Sequence, residues 1–394
     1  MAVPVHIQEN SARHWMLRLL GTVLVAGGLL WVATKGSNGL ISDVTTALVL
    51  AVAAMSLNLV LGYTGMISIG HSAFYGIGAY STGILITRYG WNPWLTFIGA
   101  FGVAFVVGAV VSLPALRIKG IYLALVTLSL ALVFPAFIKW KKLEWFTGGS
   151  AGLKNTTFNT KMRRFEILGH DFFGNIRGVD GSTVFFFWIA VMLAVVAYLI
   201  CRGIVKSRVG RSLIAIRDNE TAAAVMGVPL ATTKALVFGV SAGVCSLAGA
   251  WAALRTGTVQ PSDTGNITLE GAIAFLVIMV IGGAGHLWGP IVGAFAYVMV
   301  ASSMSDWASD DKIPGLLRPF LAWSKAPPAT GAFAVMLIVV MFVAPYGLVG
   351  MWNRLARRVV AIVPTPAGSA TALLPATDPD IFEPTDNTTP EGDE

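Results

Sequence analysis

Five polar side chains stand where the chain is otherwise apolar: Asn58, Ser68, His71, Ser72 and Tyr75. Ser68, His71 and Ser72 fall at i, i+3 and i+4, the spacing that places side chains on one helix face. Hydroxyl, imidazole and amide groups can hydrogen-bond a passing polar solute without holding a charge. The set therefore suits a translocation pathway, and His71 taken alone suits a packed interior equally well. Bond-making chemistry has little to stand on. His6, His14, His71, His170 and His286 have no spacing that would share a metal ion. Cys201 and Cys245 lie in apolar runs and permit one disulfide at most. The phosphate loop G-x-x-x-x-G-K-[ST] and the H-E-x-x-H zinc motif are missing. No catalytic residue, metal site or bound cofactor is expected, and nucleotide hydrolysis has no visible site.

Two glycine-rich stretches frame these residues. Residues 62–80 contain Gly62, Gly65, Gly70, Gly76 and Gly78; residues 282–294 contain Gly282, Gly283, Gly285, Gly289 and Pro290. Glycine permits close backbone approach, and proline removes a donor and favours a helix start. Interruptions of this kind inside apolar segments point to a transport site, because irregular backbone at membrane depth must be buried in protein or line a cavity. Small-residue helix packing is the plainer reading of any one glycine.

The elements that must position these groups are membrane helices. Of 394 residues, 55% are hydrophobic and only 12% charged, about half the charge that a water-facing globule of this size carries. A span needs about 20 mainly apolar residues. Such runs fall near 15–34, 40–61, 68–87, 94–113, 120–140, 184–202, 235–254, 269–284, 286–304 and 330–350. The expected fold is all-α and polytopic, with about ten transmembrane helices, some discontinuous. The organisation reads as a 1–39 N-terminal segment with the first helix, a 40–350 transmembrane domain, and a 351–394 basic segment with an acidic tail. The tail after Pro364 has seven acids and no Lys or Arg, so a net charge of +7 leaves +14 for the rest. In a membrane protein that excess is a topology signal rather than a nucleic-acid surface. Arg202, Lys206, Arg208, Arg211, Arg217 and Lys234 mark one cytoplasmic segment; Arg354, Arg357 and Arg358 mark another. The reading is N-in and C-in, against one objection: residues 141–182 carry seven Lys or Arg yet fall outside. The tail has too little apolar surface to fold and is expected to be disordered.

Within the cytoplasmic segment, residues 211–226 read as one short helix. Leu213, Ile214 and Ile216 supply apolar character, Arg211, Arg217, Asp218, Asn219 and Glu220 polar character, and Ala222, Ala223 and Ala224 a small surface. Gly227 and Pro229 stop it. Its small residues and mixed charge suit a partner's groove better than a membrane surface.

Together, residues 62–80, the phrase Thr147-Gly148-Gly149-Ser150-Ala151-Gly152-Leu153, residues 207–227 and residues 282–294 resemble the LivM-like permeases of branched-chain amino acid ABC importers. The similarity runs from about residue 40 to 350, with four motifs in the expected order. It implies a second, LivH-like permease subunit, two cytoplasmic ATPase subunits that use the ATP, and an extracytoplasmic binding protein. Residues 211–227 would be the helix that couples to an ATPase, with Arg217 and Glu220 as polar anchors. Two positions depart from the family pattern: Gly285-His286-Leu287 where relatives often have Gly-Thr-Leu, and Pro345-Tyr346-Gly347 where they often have Pro-Arg-Gly. Related permeases serve urea and short amides, which is the alternative substrate class. A stand-alone channel or facilitator, or an intramembrane enzyme, are the competing kinds of function. ATPase subunits that co-purify with the chain separate importer from channel.

Overall fold

The computed structural model describes residues 5–8, 12–117, 120–154, 166–167, 170–171, 181–261, 266–309 and 347–363. The tail from 364 onward and most of the run at 330–350 lie outside these residues. In chain order the elements begin with β1 (Val5–Gln8), α1 (Ala12–Lys35) and α2 (Asn38–Asn58), which continues into a π-helix, Leu59–Tyr63. Next come α3 (His71–Tyr89), α4 (Pro93–Arg117), α5 (Ile121–Ile138) and α6 (Glu144–Thr147), then β2 (Leu153–Lys154), β3 (Glu166–Ile167) and β4 (His170–Asp171). The chain resumes with α7 (Gly181–Lys206), α8 (Arg208–Asp218), α9 (Glu220–Val225) and α10 (Leu230–Thr256). It continues with β5 (Thr258–Val259), α11 (Leu269–Gly282), α12 (Gly289–Ser309), α13 (Gly347–Val359) and β6 (Val360–Val363). Two compact units result, Gly27–Asn353 and Met1–Ala26 with Arg354–Glu394. In the latter, β1 and β6 pair in parallel.

The fold is that of an all-α polytopic membrane protein. Among the described residues, four helices are long and apolar enough to cross a bilayer: Asn38–Tyr63, Pro93–Leu113, Ser182–Lys206 and Leu230–Thr256. A fifth arises if Tyr122–Ile138 and Lys141–Thr147, bent by 62°, form one span. Shorter apolar helices occupy Leu19–Lys35, Leu269–Gly282 and Gly289–Ser303. These match most of the expected runs, and two of the shorter ones flank the second glycine stretch. The run at 68–87 emerges as α3, whose first turn is preceded by irregular backbone from Gly65 to Gly70. It carries Gly76, Gly78, Gly83 and several hydroxyls, which a helix surrounded by protein tolerates.

Helix α2 is the centre of the larger unit: from Ala47 to Asn58 every residue is buried. A helix that is apolar all round has no face for water, so other helices must enclose it. Ser37 starts it, its hydroxyl accepting from the Leu40 amide at 3.3 Å. Helices α7, α10, α11 and α12 pack around it, and α10 packs in turn on α3 and α4. The α3–α10 contact is backbone-close. A Cβ on Gly78 would collide with the Ser246 carbonyl, and one on Gly249 with that of Tyr75. The outer face of α4 shows Ile98, Val106, Val110 and Leu113, as a face turned to lipid should.

One end of this unit gathers α6, β2 and β5. Arg88, in the last turn of α3, donates to the Trp145 carbonyl; Thr147 Oγ1 donates to the Ile138 carbonyl at 2.8 Å; and β2 pairs antiparallel with β5. Helices α3 and α10 run from that end to the other, where α8 and α9 lie. The described part of the basic loop, residues 141–154, therefore sits opposite residues 208–225.

Prediction: Gly78→Leu should force α3 from α10, lowering stability in detergent by about 1–3 kcal/mol. Thermal unfolding monitored on purified protein checks it, with the exposed Gly102→Leu on α4 expected to change little.

Candidate functional site

The two glycine stretches meet. Asn58, at the end of α2, holds the link between α11 and α12 with both ends of its amide. Its Nδ2 donates to the His286 carbonyl at 2.9 Å, and its Oδ1 accepts from the Gly285 amide at 2.9 Å. Gly62 lies against this clamp: a Cβ there would strike Asn58 Oδ1 and come within 2.6 Å of the Gly285 nitrogen. Gly285 itself has a φ of 77°, which only glycine adopts readily. Beyond Gly289, Pro290 occupies the first turn of α12, where its missing N–H leaves no intrahelical bond unmade.

From the π-helix the chain turns out of helical geometry. Thr64 Oγ1 donates to the Val60 carbonyl at 2.7 Å, and the Met66 amide returns to the Val60 carbonyl at 3.1 Å. Gly65 follows with a φ of 71°. Met66, Ser68 and Gly70 of this stretch are buried while Gly65 and Ile67 are exposed, and Thr127 Oγ1 accepts from the Ile69 amide at 3.0 Å. Backbone groups that water would otherwise satisfy are thus met by side chains.

His71 opens α3 and is 1% exposed. Its Nδ1 lies 3.0 Å from Ser68 Oγ and its Nε2 2.8 Å from Ser241 Oγ. The Ser241 hydroxyl donates onward to the Ser56 carbonyl at 2.6 Å, so it accepts from Nε2–H, and Nδ1 takes the Ser68 proton. Cys245 Sγ also reaches the His71 carbonyl at 3.2 Å. One ring therefore ties α2, α3 and α10 together. Tyr75 is equally enclosed, its ring 5.9 Å from that of Phe275 and its hydroxyl bonded to the Asn266 side chain. The Ser72 hydroxyl is buried with no partner among the described residues. All five residues expected on a pathway are inside the helix packing, and Asn58, Ser68 and His71 hold backbone or one another. Gly70 and Gly76 sit in the same packing, against the Thr127 carbonyl and the Phe134 ring, while Gly282, Gly283 and Gly289 stack backbone on backbone in the α11–α12 link.

The segment at residues 207–227 differs from expectation. In place of one helix over 211–226 there are two, parted at Asn219, whose φ of −157° is extended. The Asn219 side chain accepts from the Ala222 amide at 3.0 Å and starts α9, which a continued helix would forbid. Ser207 starts α8 in the same way, accepting from the Val209 amide at 3.1 Å. Gly227, with a φ of 81°, ends the segment as expected.

Arg217 is exposed as a residue, yet its guanidinium reaches the chain's own backbone, and Glu220 turns inward. Arg217 Nη1 donates to the Gly62 carbonyl at 2.8 Å. Glu220 Oε1 pairs with Lys234 Nζ at 2.6 Å, and the lysine side chain is only 3% exposed. A cleft of about 360 Å³ lies between them, its walls including Thr64, Gly65, Arg217, Glu220 and Lys234. Ala223 is buried against the chain's own helices, whereas Ala222 and Ala224 face out. Arg211 and Asp218 are exposed. Ile214, one of the apolar residues read from the sequence, faces out, and so do two further apolar groups, Val225 and Met226, each 83% exposed. Their signal in the sequence is position alone, bulky residues directly before the Gly227 stop.

The family model for the branched-chain amino acid transport system / permease component matches residues 40–345. The chain is 28% identical over 308 residues to the high-affinity branched-chain amino acid transport system permease protein LivM of Salmonella typhimurium, covering 76% of this chain and 71% of that protein. It is 29% identical over 280 residues to LivM of Escherichia coli, covering 69% and 65%. A probable LivH permease of Methanocaldococcus jannaschii is 22% identical over 318 residues, covering 78% and 91%. No solved structure matches the chain.

Prediction: Asn58→Leu leaves the Gly285 amide and the His286 carbonyl unmet in a buried place, at a cost of roughly 2–6 kcal/mol for the two groups. Asn58→Asp, which keeps the acceptor for Gly285, should lose less; equal losses in denaturant unfolding would contradict the two-bond clamp. With the matched region spanning most of the chain and the paired helix breaks in place, the protein belongs to the permease component family of branched-chain amino acid transport systems.

Proposed function

We propose that this permease works in an ATP-driven importer, N-in and C-in in the plasma or inner membrane. Its companions in this reading are a second, LivH-like permease, two cytoplasmic ATPases and an extracytoplasmic binding protein that delivers branched-chain amino acids. What supports the reading is the segment 208–226. It presents Val225, Met226 and Ile214 to solvent, an apolar surface that a soluble exterior does not favour, while its polar side chains hold the transmembrane helices. A surface built this way suits an ATPase groove on its outer side and the gate on its inner side.

The solute is a zwitterion with an apolar side chain. The described spans hold no acid at their centres that would trap it, and proton coupling, which needs such an acid, has no residue to use. In this scheme Asn58, Ser68 and His71 fix the closed arrangement. The unpartnered Ser72 hydroxyl is the group that meets a polar solute when α3 and its neighbours part. ATP binding moves the two ATPases, and a ligand shifts a conformational equilibrium only by its different affinity for the two states; the ATPase groove must therefore hold residues 208–226 differently in each.

The exposed pair locates the test. Val225→Asp with Met226→Asp should reduce recovery of ATPase subunits on co-purification by about tenfold or more, as loss of buried apolar anchors does, while the chain still inserts. Ala223→Trp is unsuited to this purpose, since it would disturb the chain's own packing. Uptake by the reconstituted complex should favour leucine, isoleucine and valine; preference for urea or a short amide would move the chain to that substrate class.

A further inference from the structure

The single cation Arg217 touches both helix breaks. It stands in the last turn of α8. Its guanidinium donates to the Gly62 carbonyl at 2.8 Å, one of the carbonyls left over where the α2 π-helix ends. Positive charge at a helix C-terminus is favoured by the aligned peptide dipoles. Its aliphatic stem lies against Gly65, where a Cβ would come within 3.2 Å of Cγ. Its Nη1 lies 3.3 Å from where a Cβ of Gly285 would be. A Cβ at Gly65 or Gly285 would crowd the arginine and require it to shift by a few tenths of an ångström, so glycine at both places gives it room. Gly285 is in turn held by Asn58. The result is a path from α8 to the α11–α12 link made of the Arg217–Gly62 and Asn58–Gly285 hydrogen bonds, joined by the backbone between Asn58 and Gly62. The Glu220–Lys234 pair ties α9 to α10 separately.

We propose that Arg217 is a positioning residue for transport: it makes the end of α2 and the α11–α12 link move together with α8. The inference rests on the reading of 208–226 as the ATPase-facing segment and adds the element that carries its motion inward. A tether transmits displacement when breaking it costs more than moving what it holds. A charge-assisted hydrogen bond in a partly dry place meets that condition better than a neutral contact. Lysine would supply the charge but not the planar guanidinium that spans Gly62 and Gly285.

The test uses the full complex in proteoliposomes, with solute uptake and ATP hydrolysis measured in the same vesicles. For Arg217→Met, uptake per ATP should fall about tenfold or more while hydrolysis stays within about twofold of wild type. Arg217→Lys should recover part of the ratio. If Arg217 only caps a helix, the variants will yield less folded complex, both rates will fall in proportion, and the ratio will hold; that result overturns the proposal. A wild-type complex that hydrolyses ATP without any uptake would instead overturn the importer reading, and this inference with it.

Discussion

A helix that ends within or at the edge of a bilayer leaves carbonyls and amides that lipid cannot satisfy. Here α2 ends beside the link between α11 and α12, and two side chains answer the resulting demand. Asn58 pairs with the Gly285 amide and the His286 carbonyl; Arg217 pairs with the Gly62 carbonyl. The glycines follow from this requirement, because a Cβ at Gly62 would strike the Asn58 amide and one at Gly285 would crowd the Arg217 guanidinium. In the irregular stretch between Gly65 and Gly70 the Ile69 amide is met by Thr127. The broken region is held by a few identifiable hydrogen bonds.

Bonds of this number and kind suit a gate. Close-packed interiors switch between discrete arrangements instead of deforming smoothly, and each bond at the break is a contact that one arrangement can keep and another lose. The His71 ring does the opposite work. With Ser68, Ser241 and the Ser56 carbonyl it pins α3 to α10 and α2 through bonds fully enclosed by protein. A stiff block of α3, α10 and α2 up to Ser56 thus stands beside the end of α2 and a link held by two side chains.

Much of this was legible in the sequence, and the rest has physical reasons for being hidden. The apolar runs gave α2, α4, α7 and α10 within a few residues, and the glycine stretches marked the breaks. Their meeting was not readable, because Asn58 and Gly285 are 227 residues apart and nothing local records the pairing. Residues 211–226 contain no Gly or Pro and so read as one helix, yet an asparagine followed by a glutamate is also a helix-start signature. That competing signal wins. Arg217 and Glu220 also make contacts within the chain, to the Gly62 carbonyl and to Lys234, which are distant in sequence and leave no local mark.

The central claim is that α8 and the α11–α12 link move as one body. Pulsed spin-label distances between the exposed positions Ile214, Trp288 and Tyr89 in the assembled transporter test it most directly. Between nucleotide-free and ATP-bound states the 214–288 distance should stay fixed, while both positions shift together relative to Tyr89 at the far end. A change in the 214–288 distance as large as the others, with Trp288 unmoved relative to Tyr89, would contradict it.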